Sequence, residues 1–402
     1  MAATIEWSCR ILGPAAHRLF RRLAIVPGSF SLDTVEAIAA PDTADAVSAL
    51  TELIEHSLVA RGDVGHIARF RLLEPVRRYA LETLEPAERE QVRQSVGQWA
   101  LRTARELSAR IRGRGDMTAV EQVEVDRGVL RLGFDQLVDA RRHDDAAELV
   151  WSVWLPLWMS GHSREGFAWT GRLREDDLSE RGRARWLVAR AGFNRVAADL
   201  FAVAERAVRL AEQVDDASLA TEAAIFASAA ALRLEDFDAS GALLDRAEEH
   251  VALRLDVRND VWAAVHVPIG RGDGALLRGD RSAAVGHWRA AAATARELGS
   301  GFSVAAVLAE CAEAARSEGR LDDAAVMLAA ADHELGPQRD GHRRRAHLAG
   351  VAAAVAADLG DVASAQWWEG VAGSGTAPLD TAELHKRFEE LVRRADTVSG
   401  QD

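Results

Sequence analysis

Apolar residues recur at helical spacing through most of the chain, and a turn interrupts them about every forty residues over the last 250 or so. Each turn is marked by glycine or aspartate, and a small residue follows five positions later. Helices approach closely only where side chains are small, so this period predicts a stack of helix pairs. The markers and their small partners are Gly161 and Gly166, Asp199 and Ala204, Asp236 and Gly241, Gly279 and Ala284, Gly319 and Ala324, and Gly360 and Ala365.

The first 84 residues follow another pattern, in which short amphipathic helices precede a strand, turn, strand signal. Ser31 is a predicted N-cap for the second helix, and Thr43 or Asp45 begins the third. Three helices followed by a hairpin are the order of a winged helix. The predicted elements are helices over 14–25, 32–39 and 43–55, and strands over 58–61 and 66–72 around a turn at 62–65.

These patterns predict a mainly α fold, a winged-helix-like N-terminal domain followed by a tetratricopeptide-like α-solenoid. Residues 85–142 form a helical connector, with helices over 86–112 and 119–142. About six helix pairs fill 143–375. Residues 376–402 hold a last amphipathic helix over 378–398 and the tail, and this helix is expected to cap the repeats.

Charge separates the two parts of the chain. Residues 1–116 carry 16 basic and 15 acidic side chains, a balance of +1, so the rest of the chain, which contains the repeats, carries about −14 against −13 for the whole. An acidic surface favours protein partners or basic segments over phosphate and argues against a general nucleic-acid binder.

The compartment is predicted from sparse cysteine and from the absence of an apolar span. Cys9 and Cys311 lie too far apart in sequence to indicate a disulfide framework. The N-terminus lacks a signal-peptide pattern, and no run of some twenty apolar residues occurs. We therefore expect a cytoplasmic protein with no membrane contact.

Several N-terminal segments resemble the winged-helix part of bacterial signal-transduction ATPases, the AfsR/SARP and LuxR-family regulators of actinobacteria. The segment 56–59 is similar to that family's KSLV motif, and 70–82 is similar to RLLETVRQYALE. The segments 5–8, 18–24 and 27–30 resemble the start of the same domain. The resemblance implies that the repeats correspond to a tetratricopeptide-like sensor region.

Two parts of such regulators have no counterpart here. The chain has a single lysine, Lys386, with no glycine loop before it, so a Walker A phosphate site is excluded. No helix-turn-helix pattern follows Gly373. The resemblance therefore implies the regulatory half of such a protein, which could work with a separate ATPase or transcription factor.

Motifs for catalysis are weak, and we predict no enzyme, no cofactor and no metal. The segment 270–275 formally matches G-x-G-x-x-A, but it sits in a helix pattern next to Pro268, so packing or a kink is the preferred interpretation. The segment 161–165 approaches a nucleophile elbow, but Glu165 replaces the second glycine. No H-E-x-x-H motif occurs, and the basic run 343–345 is predicted to be a solvated helix face.

Tryptophans are the candidate binding residues. Trp151, Trp154 and Trp158 share one helical face, Trp169 follows one helix later, and Trp288 lies in a later second helix. Such spacing is typical of an inter-helix core. The alternative is an aromatic wall on a concave face that anchors a peptide or a small apolar effector.

The winged helix offers direct DNA binding as the second functional class. Its third helix would enter the major groove, but it contains Asp45, Glu52 and Glu55 and no basic residue. Only the wing arginines Arg61, Arg69 and Arg71 remain as candidate DNA contacts. The sequence thus favours a non-enzymatic regulatory or scaffold protein whose repeats bind a protein partner or effector, with a DNA-binding transcriptional regulator as the alternative.

Overall fold

The computed structural model describes residues 2–39, 45–64, 67–114, 116–194, 196–253, 261–335, 342–373 and 380–399. These residues form two compact units. The N-terminal unit contains 1–107, 122–153 and 171–178, and the repeat unit contains 108–121, 154–170 and 179–402. Three helices continue from one unit into the other, because the division falls within them.

The N-terminal unit begins with short helices and three strands and then continues into longer helices. The predicted order of three helices and a hairpin is confirmed, with one further helix before it and one further strand within it. The elements are α1 (Ala2–Arg10), α2 (Pro14–Leu23), β1 (Ser29–Phe30), α3 (Leu32–Ile38), α4 (Ala46–Glu55), β2 (Val59–Val64), β3 (Ile67–Leu72), α5 (Glu74–Glu82), α6 (Pro86–Arg114) and α7 (Met117–Asp139).

The three strands form one antiparallel sheet in the order β1-β3-β2. Strands β2 and β3 pair from Val59 opposite Leu72 to Val64 opposite Ile67. The predicted turn at 62–65 was therefore wrong, because β2 continues to Val64. Residues 65–66 lie outside the described part. The sequence also missed β1, whose two residues are too few for a periodic signal.

Local capping explains where the early helices begin. The Ser31 hydroxyl accepts from the backbone N–H of Thr34 at 3.2 Å, as predicted for an N-cap. Asp45 caps α4 by accepting from the N–H of Ser48 at 2.9 Å, whereas Thr43 lies outside the described residues. The helices and sheet enclose an apolar core of Leu19, Phe20, Leu23, Phe30, Val35, Ile38, Leu53 and Leu58.

Helices α6 and α7 cross closely at a glycine. A Cβ added to Gly133 would lie 2.2 Å from the Cβ of Ala100, so only glycine allows this approach. Helix α6 extends to Arg114 rather than ending at 112, and α7 ends at Asp139 rather than 142.

The described residues of the repeat region form six helix pairs. They are α8 (His143–Met159) with α9 (Ser163–Thr170), α10 (Glu180–Phe193) with α11 (Ala197–Gln213), α12 (Ala217–Arg233) with α13 (Phe237–Leu253), α14 (Val261–Leu277) with α15 (Arg281–Glu297), α16 (Gly301–Ser317) with α17 (Leu321–Leu335), and α18 (His342–Asp358) with α19 (Val362–Gly373). A short 3₁₀ turn, Glu175–Asp177, precedes α10.

Most turns between these helices share one left-handed residue. Gly161, Gly279, Gly319 and Gly360 have φ between 73° and 86°. The left-handed residue and the residue after it both donate back into the preceding helix, as in Gly279 N to Leu276 O and Asp280 N to Ala275 O, each at 2.9 Å. This double hydrogen bond is a Schellman motif, which satisfies carbonyls at the helix end.

The small residue of each unit lies four positions after the N-cap, where it meets the neighbouring helix. Ala284, Ala324 and Ala365 are buried, as expected for a close crossing. Two predicted anchors were wrong. Asp199 lies inside α11 rather than in a turn. Asp236 caps α13 itself, so the crossing falls on Ser240, which hydrogen-bonds Ser228 at 2.8 Å, and not on Gly241.

The last described helix, α20 (Thr381–Ser399), packs against the final repeats. Its buried residues Leu384, Phe388 and Leu391 join a cluster that includes Trp368, whose ring centroid lies 4.4 Å from that of Phe388. Among the described helices, none combines the length and apolarity that crossing a membrane requires.

Candidate functional site

Three of the five candidate tryptophans are core residues. Trp154, Trp169 and Trp288 are 2%, 5% and 1% exposed, so they are unavailable to a partner. Trp151 and Trp158 are partly buried. The aromatic spacing thus reflects packing for most of the set, which is the preferred interpretation of the sequence.

Trp154 belongs to a buried polar and aromatic cluster in the repeat unit. Its indole N–H donates to the Glu222 carboxylate at 3.1 Å, and Arg112 binds the other oxygen of that carboxylate. The Trp154 ring lies edge-on to Phe226 and Trp262, with centroids 5.0 and 5.4 Å away. Because Glu222 is fully buried and ion-paired, this cluster fixes the packing of several helices and offers nothing to a ligand.

Trp158 lines a small apolar cavity together with Trp262 and Phe302. The cavity volume is about 30 Å³, which is room for little more than one water molecule. It is therefore too small for an effector.

A much larger groove lies within the repeat unit. Its volume is about 700 Å³, in the range of drug-sized ligand sites. Helices α12, α13 and α14 line it. The lining is apolar at Ile225, Leu232, Phe237, Leu244, Ile269 and Leu277 and polar at Ser228, Arg233, Glu235, His266 and Asp273.

Glycines in α14 allow this helix to approach both α13 and α15 closely. A Cβ on Gly272 would lie 2.3 Å from Trp288 Nε1, and one on Gly270 would lie 3.2 Å from Leu244. Helix α14 continues through Pro268 and the whole 270–275 segment. The segment is therefore a close helix contact rather than a dinucleotide-binding turn, which needs a strand before it.

Asp273 is the one largely buried carboxylate among the groove lining. Its Oδ1 accepts from the Trp288 indole N–H at 3.2 Å. Burial and, to a smaller extent, the charge of Glu310 raise the pKa of Asp273 to about 7, although the Trp288 hydrogen bond opposes the shift. Asp273 was not predicted from the sequence, although a charged residue between two helical glycines is a visible signal there.

A second open groove, of about 610 Å³, lies near α9, α10 and the start of α11. The Arg190 guanidinium stacks between the rings of Phe167 and Trp186, 5.1 and 5.0 Å from their centroids. Burial lowers the pKa of Arg190. These cation–π contacts already stabilise the Arg190 charge. The second groove therefore offers a ligand less opportunity for a new ionic interaction than the first groove does.

The wing arginines divide by exposure. Arg61 and Arg71 are exposed on the hairpin. Arg69 is only 3% exposed, and its Nη1 lies 2.5 Å from the buried Asp126 carboxylate of α7. Its Nη2 also donates to the carbonyl of Ser29 at 2.9 Å. This placement argues against Arg69 as a DNA contact, because its charge holds α7 to the sheet.

The acidic residues of α4 have local tasks in the N-terminal unit. The Glu52 carboxylate accepts from the backbone N–H of Gly13 at 2.6 Å, just before α2. Asp45 caps α4 itself. The Asp45 and Glu52 carboxylates thus serve contacts within the N-terminal unit.

Of the remaining candidate motifs, some have structural roles and others lie partly outside the described residues. Gly161 and Ser163 form a helix turn and the start of α9. Arg345 is buried against Asp332 at 3.2 Å, so the predicted solvated face was wrong at that residue. The side chains of Arg343 and Arg344 lie outside the described part. No cluster of three or more His, Cys, Asp or Glu suited to a metal occurs among the described residues.

Comparison with known proteins identifies the first domain. Residues 12–85 match the family model of the winged helix-turn-helix domain. A "Putative HTH-type transcriptional regulator" of Mycobacterium tuberculosis is 30% identical over 319 residues, covering 74% of this chain and 34% of that relative. The same figures hold for a relative of the same name in Mycobacterium bovis.

The chain spans about a third of the length of these curated relatives. A shorter match of 88 residues, at 34% identity, covers 21% of this chain and 22% of an uncharacterized protein of M. tuberculosis. A solved STAND protein with a tetratricopeptide repeat sensor from Pyrococcus horikoshii gives a TM-score of 0.44 at 9% identity, covering 96% of this chain and 66% of that one. That likeness is too weak to define the fold.

Proposed function

We propose that this chain is a non-enzymatic regulatory protein whose helical repeats bind a protein partner or a small effector, with transcription as the process controlled. The observation that carries the proposal is the apolar groove of about 700 Å³ lined by α12, α13 and α14. A pre-formed concave site with few polar groups is the usual form of a ligand site. The winged helix-turn-helix match and the names of the mycobacterial relatives support the regulatory role.

We also infer which part of a signal-transduction regulator this chain represents. The chain corresponds to the winged helix and sensor repeats of actinobacterial signal-transduction ATPase regulators and works in the cytoplasm with an ATPase or transcription factor. The N-terminal segments described above support it, since they resemble that family's winged-helix motifs.

The test is to obstruct the groove without disturbing the fold. Ala229 lines the groove from α12, and an indole at this position would fill it. Native mass spectrometry of the wild-type chain after incubation with cell extract should detect a bound small molecule or protein that Ala229→Trp loses. Ala290→Trp, on the exposed face of α15, is the matched control and should retain it. Equal binding by all three chains would refute a site in this groove.

Direct DNA binding is the second candidate, because the matched domain is a winged helix-turn-helix and Arg61 and Arg71 are exposed. We expect it to fail, since α4 offers carboxylates and no basic residue. A mobility-shift assay at low salt with random duplex DNA should show no complex. If the wild-type chain forms a complex and the double variant Arg61→Glu, Arg71→Glu does not, the chain binds DNA through its winged helix.

A further inference from the structure

The groove lined by α12, α13 and α14 has one largely buried carboxylate, Asp273, and an exposed one at its rim, Glu235. Asp273 forms no ion pair with any described Arg, Lys or His. Its hydrogen bond is the one from Trp288 at 3.2 Å. Around it lie Ile269 and Leu277 of its own helix and the apolar residues of α12 and α13.

The charge of Asp273 is not needed for packing. The Trp288 indole requires only a hydrogen-bond acceptor, which an asparagine side chain would supply without the cost of burying an anion. Glu310 adds repulsion. A largely buried carboxylate that lines a groove is typical of a site that binds a positively charged ligand.

Nearby cations of the repeat unit are already engaged or lie at the rim. Arg271 donates to Glu248 and Asp245 at 2.7 Å. The guanidinium of Arg278 lies 5.9 Å from the centroid of the Phe237 ring. Arg233 and Glu235 are exposed at the edge of the groove. The His266 Nδ1 is 2.7 Å from the carbonyl of Trp262, and its ring stacks on that indole.

We propose that the groove binds a small amphiphilic amine, with its ammonium group paired to the Asp273 carboxylate and its apolar body against Ile225, Leu232, Phe237, Leu244 and Ile269. This assignment rests on the proposed function, since it names the class of effector for the same groove. Charge complementarity selects the cation, and the volume of about 700 Å³ admits a ligand of this size.

Three ligands of one shape test the charge requirement: 4-phenylbutylamine, 4-phenyl-1-butanol and 4-phenylbutyrate, measured by calorimetry on the full chain at pH 8. The amine should bind about tenfold or more tightly than the alcohol, and the butyrate more weakly than the alcohol. Asp273→Asn should reduce the amine to the affinity of the alcohol. Because the ligand ranking is also read on the wild-type chain, the test does not depend on the folding of that variant.

Asp238→Asn is the matched control, since it removes an exposed carboxylate of α13 outside the groove lining and should leave the amine preference intact. Loss of the preference in Asp238→Asn but not in Asp273→Asn would overturn the role of Asp273. Equal binding of amine and alcohol would overturn the amine assignment while leaving a groove that binds apolar effectors. No binding of any of the three would overturn the assignment, and the Ala229→Trp comparison would then judge the proposed function separately.

Discussion

At the scale of single residues, the repeat turns differ in what their left-handed position costs. Glu235, in the turn before α13, has φ of 60°. Gly279, at the equivalent position in the turn before α15, has φ of 83°. A non-glycine residue in this conformation costs about 1–2 kcal/mol. Glu235→Gly should therefore raise the free energy of unfolding by about 0.5–1 kcal/mol, because part of the gain is offset by the freedom of glycine in the unfolded chain. Urea unfolding of the repeat unit measures the change in the free energy of unfolding.

The reverse substitution gives the control for this argument. Gly279→Ala places a Cβ in the left-handed region although nothing lies within 4 Å of it, so any loss reflects backbone strain alone. We expect a loss of about 1 kcal/mol in the same assay. If Glu235→Gly destabilises the chain as Gly279→Ala does, the left-handed residue is not what limits these turns.

At the scale of elements, the crossing of α14 and α15 depends on a glycine. A Cβ on Gly272 would lie 2.3 Å from Nε1 of the buried Trp288, so Gly272→Ala should cost about 1–3 kcal/mol by overpacking. Gly286 lies within α15 with nothing within 4 Å of a Cβ, and Gly286→Ala should instead stabilise by about 0.5–1 kcal/mol. Thermal unfolding followed by circular dichroism compares the two. A higher stability of Gly272→Ala would show that the Trp288 ring moves aside at little cost.

Periodicity predicted the elements better than it predicted the site. The apolar spacing and the turn glycines indicated where most helices of the repeats begin and end, because both signals are local in sequence. The anchor at Asp199 failed because an aspartate suits the first turn of a helix as well as a cap. The groove could not be predicted, since Asp273, Leu232 and Leu244 meet only through the packing of three helices.

At the scale of the whole molecule, the buried acid makes stability depend on pH. The chain has 62 acidic side chains, so the comparison must be made against Asp273→Asn, in which the other titrations are shared. The pKa of Asp273 in the folded chain is about 7, above the usual value of about 4. Between these values the folded chain binds more protons than the unfolded one, so the contribution of the neutral acid falls as pH rises.

The wild-type chain should therefore lose stability relative to Asp273→Asn between about pH 5 and pH 7, by about 1–3 kcal/mol after allowance for partial solvent exposure. Above about pH 8 the difference should be constant, since the group is ionised in both states. Glu310 of α16 and His266 of α14 also face this region, and Glu310→Gln should reduce the size of the effect by removing the repulsion. Urea midpoints from pH 5 to pH 8 measure it. A difference that does not change with pH would mean that Asp273 is hydrated and ionised throughout, and the groove would then lack the buried charge on which amine selectivity depends.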